Sequence, residues 1–181
     1  MEFSDRELWT VLHGMGFGAV FLLAFGGGLA GLWSLRERLL TEEGLRERMP
    51  RITLGTTAMA VFGWLTVISG TFIVYPWYRV EPAGGIANYS GPLEGYPKFL
   101  LLSSESTAQW HEFGMEWKEH VAWLAPFLAT AVAFVVVYYG PQLIRRPELR
   151  WPLMIFFGLA FAAAAVAGLF GAFITKAAPV A

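Results

Sequence analysis

Three histidines, His13, His111 and His120, are the residues of this chain whose types and spacing best suit chemistry. A neutral imidazole can ligate a metal, or accept or donate a proton, near physiological pH. His13 is the only histidine in a charge-free stretch at residues 8–35. His120 stands at the mouth of another such stretch, residues 121–144. Two imidazoles facing each other across a helix bundle can clamp a haem iron. With Glu116, one helical turn before His120, the same pair makes a His/His/carboxylate set suited to copper, zinc or iron. The chain has no cysteine, which excludes disulfides, thiolate zinc sites, cysteine-ligated iron–sulfur clusters and covalent c-type haem.

The elements that must position these histidines are apolar. Of the 181 residues, 56% are hydrophobic and 15% charged, against about 25% charged in an average soluble domain. Residues 8–35, 52–78, 121–144 and 151–175 carry no charge at all. Each run exceeds the roughly 20 residues a helix needs to cross the hydrocarbon of a bilayer. The expected fold is therefore an all-α membrane protein, a single domain of four transmembrane helices over about 8–35, 52–78, 118–144 and 151–175. Residues 79–117 form a loop, with the third helix extended beyond the membrane. A net charge of −1 gives no reason to expect nucleic acid. The opening residues, MEFSDRE, lack the cationic start of a signal peptide, so the first helix is expected to be retained.

Arginines orient the bundle. Arg36, Arg38, Arg46, Arg48 and Arg51 lie between the first two runs, and Arg145, Arg146 and Arg150 between the last two. Arg6, Arg79, Lys98, Lys118 and Lys176 lie on the other side. The excess in short connections puts those connections in the cytoplasm, and both termini and the 79–117 segment outside.

Local chemistry marks the ends and faces. Ser4 and Glu7 form a capping box that starts the first helix. Gly14/Gly18 and Gly27/Gly31 are small-xxx-small pairs that allow close helix approach. Gly16, three residues after His13, leaves room for a flat ring beside it. The second run ends in Tyr75-Pro76-Trp77-Tyr78-Arg79, an aromatic belt with a snorkelling arginine. Residues 80–103 are rich in proline and glycine and contain Phe99–Leu102, an apolar patch that must pack on something. Ser103 or Ser104 can cap the extension of the third helix, and Pro126 should distort that helix and free a carbonyl. The fourth run, mostly Ala, Gly and Phe, has no ligand-type residue and reads as packing.

Depth and rotation choose between the histidines. His13 lies 23 residues before Arg36 and His120 lies 25 before Arg145, so at 1.5 Å per residue their depths differ by about 3 Å. His111 is 34 residues before Arg145, about 13 Å above His120. Nine residues at about 100° each put His111 and His120 on opposite helix faces. His120 shares its face with Glu112, Glu116 and Trp117; His111 shares its face with Met115, Lys118 and Ala122. The expected ligand pair is His13 and His120, with His111 at the surface, facing a partner or holding a second cofactor nearer the water.

Haem b fits this layout best. Phe17, Phe21 and Trp117 would wall it, and Arg79, Lys118, Tyr75 and Tyr78 would meet its propionates. The four spans, with histidines on the first and third, resemble bacterial four-helix membrane-bound b-type cytochromes, the anchor subunits of quinone-linked oxidoreductases. That resemblance implies one haem and a place in the bacterial inner membrane. It also implies electron transfer between a quinone pool and a partner on the external side, within a larger respiratory complex. Two alternatives stand. One is a non-haem metal protein, since LHGMGFGAVF with Met15 loosely resembles the start of membrane copper-resistance proteins. The other is a cofactor-free subunit whose histidines hydrogen-bond or contact a quinone. A proton or solute transporter is disfavoured because no charged residue lies mid-membrane.

Overall fold

A computed structural model describes residues 4–36 and 41–179. Arg38 lies outside the described residues. Among them the regular structure is helical, and four helices are each long and apolar enough to cross a membrane. α1 covers Asp5–Ser34 and α2 covers Glu42–Tyr78. A short helix in the long connection, α3, covers Pro97–Leu102. α4 covers Glu105–Arg145 and α5 covers Pro147–Ala177. The arginine-bearing connections lie at one end of the bundle, here the arginine end. Ser4, Ala178 and the 79–104 segment lie at the other, the loop end.

Local sequence accounts for the helix starts. Ser4 Oγ accepts from the Glu7 amide while the Glu7 carboxylate accepts from the Ser4 amide, the expected capping box. α2 begins ten residues ahead of its apolar run because Thr41 caps it, its Oγ1 accepting from the Gly44 amide at 3.1 Å. Ser104 is the extended residue before α4. Ahead of Pro126, α4 tightens into a 3₁₀ turn at Val121–Trp123, which fits a proline whose ring displaces the preceding turn.

The long helices pack in a ring, α1 against α2, α2 against α4, α4 against α5, and α5 back on α1. Leu32, Met59, Val132 and Phe157 fill the middle and are fully buried. Glycines set the close approaches, though not in the expected pairs. A Cβ on Gly55 would lie 3.1 Å from the Gly28 amide nitrogen, and one on Gly28 would meet the Phe157 ring at 2.7 Å. Gly31 receives Ile52, while Gly14 and Gly27 face open space. The contact is thus Gly28 with Gly55, across two helices. Leu23, Leu54, Phe72 and Phe134 point outward and are exposed, the apolar surface a helix bundle presents to lipid.

A second, smaller core closes the loop end. Tyr78, Leu101, Met115, Ile174 and Ala178 are buried together there. Leu101 belongs to α3, so the 99–102 apolar patch packs on the bundle mouth, in a helix that the proline- and glycine-rich sequence did not predict. The chain reaches it through a turn at residues 82–85, where Gly84 has φ +85° and the Gly85 amide donates to the Pro82 carbonyl. That φ is a left-handed value glycine tolerates and other residues resist.

Candidate functional site

Three helical irregularities crowd the loop end. The backbone widens into π-type turns at Leu12–Phe17 in α1, Gly70–Val74 in α2 and Trp110–Met115 in α4. Such turns cost regular hydrogen bonding and concentrate at functional sites. His13 and His111 lie within two of them, and Gly70 opens the third.

His13 projects from α1 onto α2. Its Nδ1 lies 2.8 Å from the Thr66 carbonyl oxygen and 3.2 Å from Ser69 Oγ. A carbonyl can only accept, so the neutral ring carries its proton on Nδ1 and keeps a bare lone pair on Nε2. The ring lies over Gly70, where a Cβ would come within 2.5 Å of its Cε1. Gly70, on the neighbouring helix, thus makes room for the His13 imidazole. A Cβ on Gly16 would meet only atoms of its own helix. Phe17 packs near Phe62, and Phe21 is buried in the central core.

Lys118 enters the same mouth from α4. It lies within electrostatic reach of His13. Its Nζ sits over α5, where a Cβ on Gly171 would be 2.8 Å away. Among the described residues it makes no hydrogen bond and no ion pair. Thus α1 supplies His13, α2 its hydrogen-bond acceptor and clearance, α4 a cation, and α5 the space for that cation.

Two tyrosines join α2 to the extension of α4. Tyr78 is buried, and its hydroxyl lies 2.8 Å from His111 Nδ1. Tyr75 donates to the Glu119 carboxylate. The two phenol rings stack at 6.2 Å, and the Arg79 guanidinium lies 5.4 Å over the Tyr75 ring.

The histidines of α4 lie on different faces, as their spacing requires, but the inward one is His111. The expectation that His111 sits at the surface is corrected: it is half-buried against Tyr78. His120 is exposed, its side chain 70% accessible, with Nδ1 3.1 Å from the Glu116 carbonyl and 3.3 Å from the Glu116 carboxylate. The physical reason is visible in each histidine's neighbours. His111 shares its face with buried Met115 and Ala122, whereas Glu112 and Glu116 beside His120 are exposed. Trp117 turns to α5, donating from Nε1 to the Ala163 carbonyl at 3.1 Å. No hydrogen bond or ring contact joins His13 to His120 among the described residues, and no three of His, Asp or Glu gather there closely enough to share a metal ion.

No protein-family description matches the chain, and no curated protein or solved structure matches it either.

Proposed function

We propose that this chain is a multi-pass subunit of a bacterial inner-membrane electron-transfer complex whose loop end, on the external side, contacts a quinone. The observation that carries the reading is the orientation of His13. Its Nδ1–H is committed to Thr66, so Nε2 is presented as an acceptor. Lys118, which makes no hydrogen bond or ion pair among the described residues, lies within electrostatic reach of it. The O–H of a reduced quinone headgroup can donate to that nitrogen, a quinone oxygen can accept from the lysine, and the exposed helix faces would solvate the apolar tail. Polar groups at this depth are costly and mostly functional. The arginine-rich connections support a cytoplasmic arginine end.

A haem b is the second reading, and the same nitrogen favours it. An imidazole that donates one N–H to a carbonyl is set to ligate through the other nitrogen. His13 fits that role; His120 does not as folded, because it is turned out of the mouth and paired with Glu116. Such a haem would supply one-electron chemistry.

The test is the purified full chain in lipid nanodiscs. Saturable quenching of its tryptophan fluorescence by a short-tailed benzoquinone in its reduced, hydroquinone form under anaerobic conditions is expected, weakened at least about tenfold in His13→Ala, which corresponds to about 1.4 kcal/mol. A Soret band that disappears in His13→Ala would instead establish the haem reading. No quinone binding and no Soret band would refute both.

A further inference from the structure

We propose that the seam between α1 and α5 at the arginine end holds the phosphate of an anionic phospholipid, gripped by Arg36 and Arg150 and bordered by Trp33 and Trp151. The site lies at the end of the bundle away from His13 and owes nothing to the quinone-contact reading.

Contact joins the two helices here. Arg150, in the first turn of α5, donates from Nη1 to the Leu35 carbonyl at 3.3 Å. That carbonyl belongs to the peptide that leads into Arg36. The Arg36 guanidinium lies 4.2 Å over the Trp33 ring. Trp33 in turn meets Trp151 edge-to-face at 6.0 Å, and Trp151 directly follows Arg150. Two cations and two indoles thus meet where α1 ends and α5 begins.

Depth is the second observation. Residues 8–35 and 151–175 carry no charge. Arg36 closes the first of these runs and Arg150 immediately precedes the second. In a bilayer both guanidiniums therefore stand where hydrocarbon gives way to headgroups, the level of the lipid phosphates. Trp33 and Trp151 are 48% and 53% exposed. An indole suits that boundary, with an apolar body toward the acyl chains and an N–H at the wet edge.

Unmet charge is the third. Arg48, Arg51 and Arg145 at the same end are exposed and keep their water, whereas Arg36 and Arg150 are half-buried. The Arg36 Nε–H is buried without a hydrogen-bond partner. No carboxylate pairs with either arginine among the described residues, and Glu148, at the start of α5, is taken by Arg146 at 3.5 Å. A guanidinium withdrawn from water needs a partner, and a phosphate fits its fork with two parallel hydrogen bonds. A choline headgroup would bring its own cation against the two arginines. A phosphate whose headgroup is otherwise uncharged, as in phosphatidylglycerol, brings only the anion.

The experiment uses the purified full chain in neutral detergent micelles. It is titrated with phosphatidylglycerol, with phosphatidylcholine of the same acyl chains, or with inorganic phosphate, and bound ligand is counted by native mass spectrometry. One phosphatidylglycerol bound about tenfold or more tighter than phosphatidylcholine is expected. Arg36→Gln/Arg150→Gln should remove that preference. Arg48→Gln/Arg145→Gln takes the same charge from the same end and should leave it. If the first double variant fails to fold, Arg36→Lys/Arg150→Lys, which keeps both charges and loses the forks, should still lower the preference. Equal binding of the two lipids would overturn the inference. So would a preference that falls as far in the Arg48/Arg145 variant, because the effect would then belong to the charge of the whole end. Inorganic phosphate bound as tightly as phosphatidylglycerol would overturn it too, by making this a site for the free anion.

Discussion

Gly70→Ala should unseat His13. A Cβ at that position would lie 2.5 Å from His13 Cε1 and 3.1 Å from both ring nitrogens. Carbon atoms in ordinary contact sit about 3.5 Å apart or more, so the ring must retreat by about 1 Å. The hydrogen bond to the Thr66 carbonyl, now 2.8 Å, would then exceed bonding distance. Overpacking of this kind costs about 1–3 kcal/mol, and the lost hydrogen bond about 1 kcal/mol more. A destabilisation of about 2–4 kcal/mol is therefore expected in reversible unfolding from mixed micelles. Nitrogen-15 NMR of labelled histidine should show the protonated Nδ1 of one ring losing its signature. Gly14→Ala, with no atom within 4 Å of the new methyl, should be neutral or slightly stabilising, as removing a helical glycine usually is. Deleting the ring removes the clash, so His13→Ala/Gly70→Ala should be no less stable than His13→Ala alone, a coupling that a double-mutant cycle reads directly. Gly70→Ala matching Gly14→Ala in stability, with the histidine signals unchanged, would refute the placement of His13.

Other substitutions probe the rest of the frame. Tyr78→Phe removes the 2.8 Å partner of His111 and should cost about 1 kcal/mol, with faster amide exchange in α3 and the start of α4 as the readout. Leu101→Ala empties a fully buried site in the small core and should cost about 2–5 kcal/mol, measured by the same unfolding assay. Gly28→Ala would push a methyl to 2.7 Å from the Phe157 ring and should destabilise by about 1–3 kcal/mol; Gly27→Ala, facing open space, should not.

Part of the site was legible in the sequence and part was overlooked. His13 stood out as a lone polar ring in an apolar run. The inward face of α4 was also legible, since Met115 and Ala122 accompany His111 while Glu112 and Glu116 accompany His120. Apolar neighbours mark a buried face more surely than equal depth marks a ligand pair. Gly70, Thr66 and Ser69 gave no comparable signal. Thr66 contributes a main-chain carbonyl, which every residue has, and Gly70 matters only because another helix lays a ring on it.

Taken alone, the sequence determined the four helices, because charge-free runs longer than a bilayer core leave few other ways to satisfy their backbone. It also determined the Ser4 cap, a contact among residues three apart. Helix order around the ring, the Gly28–Gly55 contact, the docking of α3 and the direction of each histidine came only with the tertiary structure. Among lipid, both faces of a helix are apolar, so hydropathy carries little of the rotation that in water would face the core. Rotation is then decided by which small residues let two backbones meet and which polar groups find partners, and both depend on two helices at once.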